Sequence, residues 1–155
     1  MKKVLIGIIG LVSCFLAMAQ QKELSKLDDM ILSKFLAGTV FSMNKEQKIS
    51  DLTWNPHATF KGVSLKHLIV GKDTDDKLSC LIVKIEPGCV LDTHSHDSKI
   101  ETHEIVAGSG KMYLDGKEID YYPGEICLIP ANVPHKVVAG KEGMYILAKF
   151  TPSLL

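Results

Sequence analysis

The sequence predicts an all-β fold, an antiparallel barrel or sandwich preceded by one short helix. Two observations carry this. From Val63 onward, short apolar runs alternate with turn residues, and one of those turns is Asp115-Gly116, whose residues tolerate the positive φ a tight hairpin needs. Before that region, apolar residues fall at helical rather than strand spacing. The chain has 155 residues, enough for one domain.

The elements follow in order. Met1-Lys2-Lys3 is basic, Val4 to Leu16 is almost wholly apolar, and Ala17-Met18-Ala19 is a small-x-small site, the three-part layout of a secretory signal peptide over residues 1–19. The apolar run is short for a membrane span, so no span is expected after cleavage. A second processing site is Leu11-Val12-Ser13-Cys14, which resembles a lipoprotein box and would leave Cys14 lipidated. The apolar residues behind Cys14 make a poor tether, so cleavage after Ala19 is preferred. The expected destination is the periplasm or the exterior. Residues 20–51 read as an N-terminal helix and connector. Leu24, Leu27, Met30, Ile31 and Phe35 form a helical stripe, Ala37-Gly38 ends it, and the polar stretch Asn44 to Asp51 links it onward.

Residues 52–155 are the β domain. Strands are expected over Val63 to Val70, Leu78 to Ile85, Glu101 to Ala107, Lys111 to Leu114, Glu125 to Ile129 and Met144 to Phe150. Three cysteines survive cleavage. Cys80 and Cys127 sit in apolar runs and read as buried thiols, while Cys89 has no assigned partner.

Charge narrows the function. Acids and bases both number 18, and every base is lysine. Loss of Lys2 and Lys3 leaves the mature chain near −2. Without arginine the chain lacks the planar fork that grips phosphates and base edges, and it has no basic run. Nucleic-acid binding is therefore disfavoured. An oxoglutarate-type oxygenase is disfavoured too, because Lys84, Lys99, Lys111 or Lys136 would have to anchor the cosubstrate carboxylate.

The chemistry-bearing residues are His94, His96, Glu101 and His135. In an extended strand His94 and His96 point to the same face. Glu101 returns at the start of the next strand, after Asp97-Ser98-Lys99-Ile100, and His135 follows the turn-rich run Pro130 to Pro134. Three imidazoles and one carboxylate suit one divalent ion, Fe, Mn, Ni, Zn, Co or Cu. Glu104 is the rival carboxylate, but strand parity sends it to the opposite face from Glu101. His103 shares the parity of Glu101. It is the candidate catalytic residue, with two other readings, a partner that orients Glu101 and a core histidine bonded to a backbone carbonyl. His57 and His67 read as ordinary polar residues, and Trp54, Tyr121 and Tyr122 either as residues of a pocket mouth or, as is usual for lone aromatics, as packing residues.

The spacing carries a resemblance. Gly88, five residues, His94-x-His96, four residues, Glu101, six residues, Gly108 resembles the first motif of the cupin superfamily. Gly124, five residues, Pro130, then His135 five further on, is similar to the second. Asn132 stands where that pattern usually has glycine, and Ala139 where it often has asparagine. Asparagine tolerates positive φ, so the turn at 132 should survive. The resemblance spans about Leu78 to Phe150. It implies a jelly-roll barrel with the four ligands facing inward, a small-molecule ligand inside, and pairing into a homodimer through sheet edges. Cupins host many activities. The expected functions are therefore a metal-dependent enzyme (dioxygenase, isomerase or lyase) on a small oxygen-rich molecule, a non-catalytic binding or sensing module, or a metal-stabilised structural domain.

Overall fold

A computed structural model describes residues 18, 20, 22 and 26–155. The predicted leader, apart from Met18, lies outside the described residues. Residues 26–36 form helix α1, which stops where Gly38 N–H turns back to the Phe35 carbonyl. Leu27, Met30 and Ile31 of its apolar stripe are about half exposed, and Asp28, Asp29 and Leu32 face the β domain across a cavity of about 220 Å³.

The predicted connector is structured. Thr39–Ser42 (β1) and Lys45–Lys48 (β2) form a two-stranded hairpin, followed by a single 3₁₀ turn over Ile49–Asp51. β2 is wholly polar and mostly solvent-exposed, so hydrophobic alternation gives no warning of it. The segment after it is pinned by one lysine. Lys66, on β4 (Val63–Ile69), is only 5% exposed and donates to the carbonyls of Ile49 (2.8 Å) and Leu52 (2.7 Å). Its ammonium also sits 5.2 Å from the centre of the Trp54 ring, a cation–π contact.

The main sheet has eight strands. Besides β4 these are β3 (Asn55–Pro56), β5 (Ser79–Ile85), β6 (Val90–His94), β7 (Ile100–Leu114), β8 (Lys117–Tyr121), β9 (Ile126–Ile129) and β10 (His135–Thr151). The order is β3-β4-β5-β10-β7-β8, with β6 on β10 and β9 on β7, every pairing antiparallel. The sheet curls around its core in the jelly-roll manner without closing by hydrogen bonds. β7 and β10 are long and bent. The two strands expected at Glu101 to Ala107 and Lys111 to Leu114 are one 15-residue strand, and β10 begins nine residues before Met144. Gly108 makes the bend possible. It has φ +77°, and a Cβ there would come within 2.1 Å of the Gly143 carbonyl oxygen, beside the register shift in β10.

Alternation puts one face of each strand inside. On β7, Glu101, His103, Ile105 and Ala107 are buried while Thr102, Glu104 and Val106 are less so. The core gathers Val63, Leu81, Val83, Ile85, Leu91, Ile105, Met112, Tyr121, Ile129, Val137, Met144, Ile146 and Phe150. Cys80 is buried, and Cys89 and Cys127 are half-buried; all three thiols are free. No helix among the described residues is long and apolar enough to cross a membrane.

Candidate metal centre

Four side chains converge at the open end of this core. His94 closes β6 and pairs in register with His135, the first residue of β10. Glu101 is the second residue of β7, flanked by Ile129 on β9 and Phe150 on β10. His96 belongs to no strand. β6 ends at His94, yet the two imidazoles still face each other, with ring centres 5.0 Å apart. One ligand atom from each of His94, His96, Glu101 and His135 lies within 4.8 Å of all the others.

The donors are aimed at a common point rather than at one another. His96 Nε2 and His135 Nε2 lie 3.2 and 3.1 Å from Glu101 Oε2. Despite those distances, all three atoms are buried without a hydrogen-bond partner. Orphaned buried polar atoms are costly, by about 1–3 kcal/mol each. Adjacent ligands of an ion bound at about 2.1 Å stand about 3 Å apart, which matches these contacts. The residues fit a divalent metal.

The remaining ring nitrogens orient two of the three imidazoles. His94 Nδ1 lies 2.7 Å from the Asp92 carbonyl and His135 Nδ1 3.0 Å from that of Val133. Each N–H donates to its carbonyl, which leaves Nε2 free as the ligand atom. Burial is the chief reason that His94 is pushed down to about 4, keeping it neutral and able to bind metal. Burial acts the same way on His135, but the neighbouring Glu101 carboxylate outweighs it and raises that group. Glu101 is held well below the usual carboxylate range. Burial alone would raise it, and the charge and hydrogen bond of His103, with the approach of His135 and His96, overcome that.

His103 stands behind the carboxylate. It is fully buried, its Nε2 donates to Glu101 Oε1 at 2.8 Å, and its Nδ1 is hydrogen-bonded to the Tyr121 hydroxyl at 3.2 Å. Glu104 is on the outer face, ion-paired with Lys149, as parity predicts. Tyr121 is not at a pocket mouth: at 1% exposure it is a core residue holding His103. Trp54 packs edge-on against Tyr145 on the outer face. Two contacts with the ligands were not anticipated. Phe150 meets His96 edge-on at 4.9 Å, and Phe60 lies 5.7 Å from His94, itself stacked on His57 at 4.6 Å. Phe150 shares the parity of the buried β10 positions Ile146 and Ala148 and could have been found by counting; Phe60, in a loop, could not.

Residues 81–148 match the family model of the cupin domain. This part of the chain is a cupin domain. The oxalate-binding protein of Thermotoga maritima is 24% identical over 76 residues, 48% of this chain and 63% of that protein. The chain thus matches less than two-thirds of that relative's length. Among solved structures, a predicted oxalate decarboxylase from Thermotoga maritima superposes with TM-score 0.62 at 22% identity, covering 66% of this chain and 95% of its own. An RmlC-like cupin from Shewanella frigidimarina gives 0.59 at 18%, covering 74% and 91%. At such identities the structures share the cupin fold with this chain.

Proposed function

We propose that this cupin holds one divalent metal through His94, His96, Glu101 and His135 and uses it to bind a small oxygen-rich anion, on which it acts as a metal-dependent enzyme. The observation that carries the reading is the convergence of four ligand atoms within 4.8 Å, three of them buried and otherwise unpaired. On a six-coordinate ion four protein ligands leave two positions open to a small molecule, and the ion would supply Lewis-acid or redox chemistry there. The chain's own residues set the stage. Glu101 stays ionised and is fixed by His103, while Phe60 and Phe150 pack against the imidazoles and shed water from that side. The names of the Thermotoga relatives suggest a dicarboxylate of the oxalate kind. Coordination by a metal also answers the lack of arginine, since a chelated carboxylate needs no guanidinium clamp. The interior of a single small barrel admits only a small ligand. Export, guided by the leader, and assembly as a homodimer complete the proposal.

A second reading is a binding or sensing module with the same ligand. The burial of His103 favours it, because both ring nitrogens are engaged and neither is presented to a substrate. In that reading, and in the enzyme, His103 positions Glu101. Calorimetric titration of metal-loaded protein with oxalate tests the shared core. Binding is expected with the loaded protein and absent after chelation; equal heats with and without metal would sink it. Formate or carbon dioxide release from the same mixture separates the enzyme from the binder.

A further inference from the structure

His96 is the weakly supported ligand. His94 and His135 lie within strands, and each fixes its ring through Nδ1 and a backbone carbonyl. His96 lies between β6 and β7, and its ring has no such bond among the described residues. Its place depends on how its loop is held. The loop is held by Asn132. The Asn132 backbone N–H donates to the His96 carbonyl at 3.1 Å, and its side-chain Oδ1 accepts from the Ser98 N–H at 3.2 Å. One residue thus grips both ends of the stretch 96–98. Asn132 itself sits at φ +66° in the turn that leads, three residues on, to His135.

We propose that Asn132 is a positioning residue, a latch that ties the His96 loop to the His135 turn and so slows release of the metal. This rests on the metal-centre reading above. A glycine at 132, the residue the cupin pattern usually carries, would keep the backbone conformation and the bond to His96 but leave the Ser98 N–H without its acceptor. Asparagine adds that second tie while still tolerating positive φ. The bond is solvent-exposed, so its effect is modest: about 2- to 10-fold in metal release.

The test uses the full chain loaded with cobalt(II), whose visible absorption reports the ligand set, mixed with excess EDTA. Asn132→Gly is expected to release cobalt about 2- to 10-fold faster than the parent. Asn132→Asp, which keeps both the acceptor and the tolerance for positive φ, is expected to stay near the parent rate. Equal rates for the parent and Asn132→Gly would overturn the latch, as would an Asn132→Asp variant as fast as Asn132→Gly. In the metal-free chain, amide hydrogen exchange at Ser98 should be faster in Asn132→Gly, and unchanged exchange would overturn the proposal. A parent that takes up no cobalt defeats the metal-centre reading, and the Ser98 exchange then decides the latch by itself.

Discussion

The buried line from Glu101 through His103 to Tyr121 shows how far a candidate ligand's behaviour is set by residues outside the ligand set. Glu101 is 3% exposed, and an unpaired carboxylate in that position would take up a proton. His103 prevents this by donating to Oε1, and it leaves Oε2 turned toward His96 and His135. The Tyr121 hydroxyl completes the line by satisfying the other ring nitrogen. His103→Ala is therefore expected to weaken metal binding by about 10- to 100-fold while the four ligands remain in place. Competition against a chelator of known affinity measures this, and an unaltered affinity would return His103 to the role of core filler. Strand parity made His103 visible in the sequence. Tyr121 was not legible as its partner, because that contact spans 18 residues and depends on where β8 crosses the barrel, which no local pattern encodes.

At the scale of elements, the strands that alternate were legible and the joints between them were not. β4, β5 and β9 lie where apolar runs and turn residues put them. β7 and β10 defeat the same logic. Gly108-Ser109-Gly110 reads as a break, yet the strand runs through it, since those glycines serve close strand approach rather than a turn. Likewise β2 of the first hairpin hides in a polar stretch because it is exposed at most positions. Lys66 fastens the segment that follows. Its ammonium replaces water for two carbonyls, so Lys66→Ala leaves the Leu52 carbonyl unpaired and the Ile49 carbonyl with only the Leu52 N–H, near the outer face of β4. The expected loss is about 2–3 kcal/mol of unfolding free energy in denaturant titration. A loss within measurement error would mean that the segment is held by Trp54 and its apolar contacts instead.

Over the whole molecule, the fold brings the candidate ligands from two distant parts of the chain to one point, so in the proposed centre folding, metal and protons are linked. In the metal-free chain two of the shifted histidines, His135 and His94, act in opposite senses. His135, raised above its ordinary 6.5, adds stability that is full below that value and is lost as pH rises through its folded value. His94, lowered to about 4, removes stability as pH falls from 6.5 toward 4, where the unfolded chain takes a proton that the folded one refuses. Metal competes first with the His135 proton. Affinity is therefore expected to fall on acidification from pH 8 to pH 6, approaching tenfold per unit below the His135 value, and a flat profile would remove His135 from the ligand set. The most direct test is elemental analysis of the purified chain beside His135→Ala. One equivalent of a divalent transition metal in the parent, falling to a small fraction in the variant, is the predicted result. A parent free of metal after reconstitution, or a variant with full occupancy, would contradict the four-ligand centre.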